Sequence, residues 1–405
     1  MNDCWSKHLP DELIEIIVKR LTLVDSIRFA AVCSLWRRVS SQWFQRVTRL
    51  PWLLKKTRFL DSETVNYSLY SPSEDTDYDL KFPSASRSNL IRCSGSIDGW
   101  LIMSEWTKKV TSYTTSINYF LNPITTSINY FLNPMTGDRI MLPQLTGSIP
   151  HSSTASSDPT NSDCIVAIAQ CSQLVFCRPS SHGSWLSEGQ RYNDIVFVQF
   201  HEDGKLYVMD SGRRDCHGID YEVHVLVLVE CEGKCKYEKL IVCPPAKVIL
   251  RAMYSTPSFT WSSKGELFLA SVRVELEEHD QLPELPIIQV LKTDDTSGCI
   301  PIWVNATNDV AQDQVLFLSA PHSTFISKPK SVMPTLDESF FALHSGKFFI
   351  HYWNGEETGS NLAYGVWFKP NISKVTEPTT NMLKESSDIG RLLEHDAHWS
   401  LDHNS

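Results

Sequence analysis

The sequence predicts a multidomain α+β protein in which a short domain of three N-terminal helices precedes a large all-β domain. Two observations predict this fold class. Apolar residues recur at helical spacing over about the first 45 residues. Beyond residue 48 the pattern changes to short alternating strands rich in β-branched and aromatic residues. The chain has 405 residues, of which 42% are hydrophobic, so it is long enough to bury a large core.

The first helix is predicted in the segment SKHLPDELIEIIVKRL, residues 6–21. Pro10 suits a first helical turn, and Asp11 and Glu12 place negative charge at the positive end of the helix dipole. Its apolar side chains cover an arc of roughly 200°, whereas a helix that packs on one core needs about 100°. These side chains are Leu13, Ile14, Ile16, Ile17, Val18 and Leu21. Two faces of this helix therefore require a partner.

The next segment, LTLVDSIRFAAVCSLWRRVSSQW, continues the helical pattern, and Asp25 or Ser26 is its predicted cap. Three short helices cannot enclose a sufficient core of their own, because small units bury too small a fraction of their surface. We therefore expect the surplus apolar surface to pack on a partner chain or on the rest of this chain.

The all-β region is predicted to be a series of hairpins. Polar, glycine-containing tips at 201–205, 262–265 and 345–347 each lie between two strand patterns. Turn-plus-aromatic units recur loosely rather than at a strict period, which favours radial repetition of small sheets, that is, a β-propeller. A β-sandwich or two successive β domains is the alternative. The Ser/Pro-rich segments 68–88 and 147–163 are predicted as loops, the second of them disordered.

A direct duplication interrupts the β region. TTSINYFLNPI at 114–124 is followed at once by TTSINYFLNPM at 125–135, and only the last residue differs. Because the repeat length is odd, a second copy cannot extend one strand in register. We therefore predict an additional protruding hairpin, in which 117–121 pairs with 128–132 around a turn at Asn122-Pro123.

Charge and composition argue against several classes of protein. Arg37 and Arg38 lie in a segment that resembles a helix-turn-helix, but the chain carries 37 Lys+Arg against 47 Asp+Glu and a net charge of −10. Phosphate contacts require a basic face, so we predict no nucleic-acid partner. No apolar run is long enough to span a membrane, and no export signal is recognised, so no membrane partner is expected. An odd number of cysteines, 11, then fits the reduced thiols of the cytoplasm or nucleus.

The sequence predicts no catalytic residue, metal site or cofactor. Cys231, Cys235 and Cys243 lack the usual paired zinc spacing, and 232–234 is the predicted tip of a hairpin. Cys216 precedes His217, but adjacent side chains in an extended chain point to opposite sides. A Cys–His pair requires proximity in space rather than in sequence.

The N-terminal residues resemble an F-box. The segment LPDELIEIIVKRLTLVDSIRFAAVCSLWRRV contains Leu-Pro, spaced aliphatic residues, Val-Cys and Trp-Arg where that family has them. In the family these helices dock on a Skp-type adaptor and, through it, on a cullin–RING ubiquitin ligase, so the resemblance implies those partners. The positions implied to contact the adaptor are Leu9, Pro10, Leu13, Ile16, Ile17, Leu21, Val32, Cys33 and Trp36.

The β region resembles the plant F-box family whose C-terminal part is a KIB-type β-propeller. The shared landmarks, in order, are LPWLL, CSGSIDGWL, LNPMTGDRIMLP, QLVFCRP, FHEDGKLYVMD and GVWFKP. The resemblance implies an F-box domain at 5–47, a propeller at 48–372 that holds an unknown protein substrate, and a mobile polar tail at 373–405. The implied function is a non-catalytic substrate receptor of an SCF-type ubiquitin ligase. The alternative is a β-propeller enzyme or small-ligand binder with an incidental helical cap.

Overall fold

The fold is described from a computed structural model of the chain. The structure describes residues 9–46, 50–58, 65–74, 76–80, 89–107, 126–146, 150–179, 185–187, 192–215, 218–231, 234–248, 258–261, 266–273, 287–294, 302–305, 314–318, 321–322, 324–327, 348–350, 365–370 and 383–385.

The helices are α1 (Asp11–Val18), α2 (Leu23–Ala30) and α3 (Ser34–Arg46). The strands are β1 (Trp52–Arg58), β2 (Val65–Ser71), β3 (Thr76–Leu80), β4 (Asn89–Ile97), β5 (Trp100–Thr107), β6 (Thr126–Leu132), β7 (Arg139–Met141), β8 (Leu145–Thr146), β9 (Ser152–Ala155), β10 (Val166–Gln170), β11 (Gln173–Cys177), β12 (Leu186–Ser187), β13 (Ile195–Phe200), β14 (Leu206–Asp215), β15 (Gly218–Cys231), β16 (Lys234–Val248), β17 (Ser258–Trp261), β18 (Leu267–Arg273), β19 (Ile287–Asp294), β20 (Ile302–Asn305), β21 (Gln314–Leu318), β22 (Pro321–His322), β23 (Thr324–Ser327), β24 (Phe348–Ile350), β25 (Gly365–Phe368) and β26 (Leu383–Glu385).

The three predicted helices are present, and the cap of α2 differs from the prediction. Thr22, rather than Asp25 or Ser26, is the N-cap, and its side chain accepts a hydrogen bond of 3.1 Å from the Asp25 N–H. The Thr22 hydroxyl also donates to the Asp25 carboxylate at 3.1 Å. Asp25 lies three residues after the cap, where an acidic side chain supports the capping residue rather than replacing it.

The described strands form six sheets, mostly in chain order. The first sheet has the order β22-β25-β1-β2-β3-β26, and the second has β4-β5-β6-β7 with β8 also on β6. The third sheet is β9 to β12, the fourth β13 to β16 and the fifth β17 to β20, each built of neighbours that pair antiparallel. The sixth sheet has the order β23-β21-β24. Successive hairpins of this kind form the blades of a propeller.

Apolar clusters fill the spaces between successive sheets. Along β10, Val166 and Ile168 belong to a cluster shared with the second sheet, whereas Ala167 and Ala169 belong to a cluster shared with the fourth sheet. Alternate side chains of a strand point to opposite faces, so each such sheet is buried on both sides. Strand β4 contacts β25 of the first sheet and β9 of the third, and β13 contacts β9 and β17. The first strands of the second to fifth sheets therefore lie side by side.

The first sheet joins the two ends of the β region. Strand β25 pairs antiparallel with β1, and the register places Trp52 opposite Phe368 and Leu54 opposite Val366. Closing a ring of sheets with a strand from the far end of the domain leaves no open edge at the junction. The predicted fold class, three N-terminal helices followed by a β-propeller, is confirmed.

Two segments predicted as loops contain strands. Residues 68–74 form the end of β2 and a turn, residues 76–80 form β3, and residues 152–155 form β9 in the third sheet. The prediction of disorder is wrong for 150–163, since Ser152 and Ser153 are buried and β9 pairs with β10. Serine-rich composition resembled a linker, but small polar side chains here fill the crowded space between sheets.

The prediction for the duplication is also wrong. The second copy provides β6, which pairs with β5 along 127–132 on one side and with β7 and β8 on the other. Residues Tyr130, Phe131 and Leu132 are buried. Both edges of β6 are therefore occupied, and 117–121 cannot form the predicted hairpin with 128–132. The first copy, 114–124, lies outside the described residues.

Three further predictions concern segments that the structure describes only in part. The predicted hairpin around 232–234 is confirmed, because Cys231 pairs with Lys234 across β15 and β16. Cys216 and His217 lie outside the described residues. In the predicted mobile tail, Leu383–Glu385 forms β26 and pairs with β3, and the rest of 373–405 lies outside the described residues.

Candidate functional site

The first helix begins as its sequence predicts. The backbone carbonyl of Pro10 accepts hydrogen bonds from the N–H groups of Leu13 and Ile14 at 3.0 and 3.2 Å. Asp11 and Glu12 lie in the first turn, where the free N–H groups favour negative charge. The side chain of Arg38 on α3 donates to Asp11 at 2.8 Å, so an ion pair joins the first and third helices.

One face of α1 is buried within the helical domain. Ile14 and Val18 are fully buried and pack with Val39 of α3. Ile14 and Val18 are four residues apart and therefore lie one above the other on the surface of α1. This inner face accounts for only part of the wide apolar arc of α1.

The opposite face of α1 is apolar and exposed. We call Leu13, Ile16 and Ile17 the α1 outer face. Their relative exposures are 48%, 47% and 37%. Val32, in the turn between α2 and α3, is 60% exposed. Single exposed apolar residues are ordinary, but three at i, i+3 and i+4 on one short helix form the pattern by which a helix binds an apolar groove.

The other predicted contact residues are at least partly accessible. Pro10 is exposed, whereas Leu9, Leu21, Cys33 and Trp36 are half-buried. The Trp36 ring stacks on Phe29 with centroids 4.0 Å apart and planes at 16°. Trp36 therefore also holds α3 against α2, and its removal would disturb the helices themselves.

The second helix uses its apolar residues differently, because they pack on the propeller. Leu23, Val24 and Ile27 belong to one buried cluster with residues of the first and second sheets, among them Trp52 and Tyr78. The rings of Trp52 and Tyr78 stack with centroids 5.2 Å apart. The surplus apolar surface of α2 therefore packs on the rest of this chain, and that of α1 faces outward.

A carboxylate of the propeller lies at the start of α2. Glu74, in the turn after β2, accepts a hydrogen bond of 2.5 Å from the Leu23 N–H and another of 2.8 Å from the Tyr78 hydroxyl. An anion at a helix N-terminus satisfies a free N–H and interacts favourably with the helix dipole. Nothing in the local sequence pattern connects position 74 with position 23, so the sequence alone does not predict this contact.

Charged pairs lie on the surface of the helical domain. Lys19 forms an ion pair of 3.0 Å with Glu15, and its ammonium lies 4.7 Å from the centre of the Trp43 ring. Arg28 forms a pair of 2.9 Å with Asp25. Such exposed pairs contribute little stability.

The described part of the chain contains neither a metal centre nor a helix that could span a membrane. Within those ranges, no group of three or more His, Cys, Asp or Glu side chains is arranged to hold a metal ion. No helix among the described residues is long and apolar enough to cross a membrane.

Comparisons with known proteins match both parts of the chain. The F-box domain family matches residues 7–46, and the KIB1-4 beta-propeller family matches residues 69–340. An F-box/kelch-repeat protein of Arabidopsis thaliana is 27% identical over 229 residues, which cover 52% of this chain and 53% of the relative. Two Arabidopsis thaliana F-box proteins are 30% and 29% identical, each over 39% of this chain and over 36% and 29% of their own lengths.

The chain spans about half the length of the first of these curated relatives, and less of the other two. The propeller match alone extends over more than half of the chain. The resemblance inferred from the sequence landmarks, an F-box followed by a KIB-type propeller with plant relatives, is confirmed.

Proposed function

Because the chain belongs to the KIB1-4 β-propeller family and carries an F-box domain, we propose that it is the substrate-receptor subunit of an SCF-type E3 ubiquitin ligase. In this proposal residues 5–47 dock on a Skp-type adaptor, residues 48–372 hold a target protein, and residues 373–405 are a tail. The chain itself performs no covalent step. It accelerates ubiquitin transfer by holding the target close to the catalytic subunits, in the cytoplasm or nucleus.

The exposed α1 outer face is the observation that best supports this proposal. A helical cap that only covered a propeller would bury its large aliphatic side chains. Here Ile14 and Val18 are inside, while Leu13, Ile16 and Ile17 are accessible in the free chain. Burying aliphatic side chains in a groove of a partner supplies binding energy of roughly 1.5–3 kcal/mol for each fully buried residue.

The structure suggests an order of importance for the proposed contact residues. The α1 outer face and Val32 are accessible and have no described role inside the chain, so we propose them as the main anchors. Leu9, Leu21 and Cys33 are half-buried and belong to the border of the contact. Trp36 contributes to the contact but also packs within the helices.

The proposal is tested by measuring the affinity of the purified full chain for a Skp-type adaptor. We expect Leu13→Asp with Ile16→Asp to weaken binding by roughly 100-fold or more, because each anchor would place a carboxylate in an apolar groove. Both residues are on the surface, so the thermal unfolding temperature should be unchanged.

A matched control is Leu186→Asp, which makes the same change at an apolar residue that is 58% exposed on β12 of the propeller. This variant should bind the adaptor as the unaltered chain does. If the α1 variant also bound with unaltered affinity, the receptor proposal would be wrong, and the alternative of a propeller enzyme or ligand binder with a helical cap would be favoured.

A further inference from the structure

A thiol and an imidazole that are far apart in sequence meet at the edge of the third sheet. Cys171 lies in the two-residue turn between β10 and β11, where Gln170 pairs with Gln173, and it is exposed. His151 immediately precedes β9, and its N–H donates to the Ala169 carbonyl at 3.0 Å. This pairing of β9 with β10 places the His151 Nε2 3.7 Å from the Cys171 Sγ.

The backbone of the turn is held in an unusual conformation. Cys171 has a φ of +49°, in the left-handed region that non-glycine residues rarely adopt. Its carbonyl accepts a 2.7 Å hydrogen bond from the Ile195 N–H, and the Ser172 carbonyl accepts one of 3.1 Å from the Tyr192 N–H. These bonds to the fourth sheet fix the turn, so the thiol is held beside the imidazole.

The surroundings of His151 suit a proton acceptor. Burial lowers the pKa of His151, the positive charge of Arg92 lowers it further, and Asp194 acts in the opposite direction. The imidazole is therefore neutral at neutral pH, and a neutral imidazole has a ring nitrogen that can accept the thiol proton.

The buried cysteines of the described chain provide a contrast. Burial raises the pKa of Cys93 to about 12, and it raises the pKa values of Cys164 and Cys177 as well. Thiols of this kind are protonated and shielded, and they react slowly. Cys33, on the helical domain, is half-buried, so its exposure lies between that of these buried cysteines and that of Cys171.

We propose that Cys171 is a site of covalent modification by small electrophiles and peroxides, with His151 accepting the thiol proton. With a peroxide, the sulfur attacks one oxygen, the S–O bond forms as the O–O bond breaks, and the leaving hydroxide combines with the proton from His151 to give water. The thiol is oxidised to a sulfenic acid and the peroxide is reduced. With an alkyl iodide, an S–C bond forms and iodide leaves. This inference is independent of the receptor role.

Alkylation kinetics of the folded full chain test the proposal. The chain is treated with iodoacetamide at pH 7, quenched, unfolded and digested, and each cysteine is quantified by mass spectrometry. We expect Cys171 to react at least about tenfold faster than Cys93, Cys164 and Cys177, and faster than Cys33. A rate at Cys171 no higher than that at Cys33 would overturn the proposal.

His151→Gln tests the role of the imidazole. We expect this variant to lower the Cys171 rate by about tenfold at pH 7, since the proton acceptor is lost. The two rates should converge at high pH, where the thiolate forms without the imidazole. The control is His201→Gln, which changes a histidine on the hairpin between β13 and β14 and should leave the Cys171 rate unaltered. Equal rates at pH 7 in the unaltered chain and His151→Gln would overturn the assigned role.

Two further measurements keep the test decisive. If His151→Gln does not fold, the pH profile of Cys171 alkylation in the native chain is compared with that in urea. A native rate at pH 7 above the rate in urea supports the proposal, and a lower native rate overturns it.

Treatment with hydrogen peroxide followed by dimedone should label Cys171 selectively, and labelling spread evenly over the accessible cysteines would contradict a specific site.

Discussion

Individual side chains fix the position of the helical domain on the propeller. The Glu74 carboxylate is the clearest case, since it accepts hydrogen bonds from both the Leu23 N–H of α2 and the Tyr78 hydroxyl of β3. A single residue thus completes the N-terminus of a helix in one domain and satisfies a hydroxyl in the other. Hydrogen bonds to charged groups are stronger than those between neutral groups, so this contact is specific as well as stabilising.

Removing the Glu74 carboxylate should destabilise the chain measurably. We expect Glu74→Ala to lower the free energy of unfolding by about 1–2 kcal/mol, because the Leu23 N–H loses its acceptor and the Tyr78 hydroxyl loses a partner. Urea unfolding followed by tryptophan fluorescence measures the change. Glu202→Ala, at an exposed position on the β13–β14 hairpin, should stay within about 0.5 kcal/mol of the unaltered chain. Equal stability of the two variants would contradict the role assigned to Glu74.

Among the elements, α1 and β6 show most clearly that the neighbours of an element in the fold decide which of its faces or edges are buried. Helix α1 has two apolar faces, of which one packs on α3 and the other is free. Strand β6 comes from the second of two nearly identical copies, and its pairing partners β5, β7 and β8 are all described. The second copy is thus sufficient to complete the second sheet.

Deleting residues 114–124 should therefore leave the second sheet intact. The deletion shortens the connection between β5 and β6, and shortening a long connection changes the loop-closure free energy by only about 0.6 kcal/mol for each halving of its length. We expect the thermal unfolding temperature to change by no more than about 3 °C. In contrast, Phe131→Ala within β6 should lower stability by about 3–5 kcal/mol, because this side chain is fully buried. A deletion as damaging as Phe131→Ala would show that the first copy supports the sheet.

At the level of the whole chain, the propeller is held together by a contact between its two ends. Strand β25 lies beside β1, and Val366 and Phe368 are part of the buried cluster that also contains residues of α2. The same cluster therefore stabilises the closure of the ring and the attachment of the helical domain. This arrangement holds α2 in a defined position relative to the propeller.

Disrupting the closing strand should therefore affect the entire fold. We expect Val366→Asp to lower the free energy of unfolding by more than about 4 kcal/mol, because an unpaired carboxylate replaces a fully buried side chain. Lys369→Asp, at an exposed residue just after β25, should have little effect. Limited proteolysis and urea unfolding distinguish the two variants. A Val366→Asp chain with the protease resistance of the unaltered chain would show that β25 is not needed for closure.

Local patterns were sufficient to predict the helices, the hairpins and the presence of an unsatisfied apolar face, because the periodicity of a segment records how many of its sides are apolar. The apolar arc of α1 indicated two apolar faces, and Ile14 and Ile16 lie on different ones, the first buried and the second exposed. The turn residues at 201–205 likewise predicted a hairpin, and the backbone shows it between β13 and β14.

The contacts between distant parts of the chain appeared only in the folded structure. These include Glu74 at the start of α2, β25 beside β1, both edges of β6 and the approach of Cys171 to His151. Periodicity reports only on the neighbours of a residue along its own helix or strand. Which surfaces meet is set by the packing of the complete ring of sheets, and no single segment of the sequence contains that information.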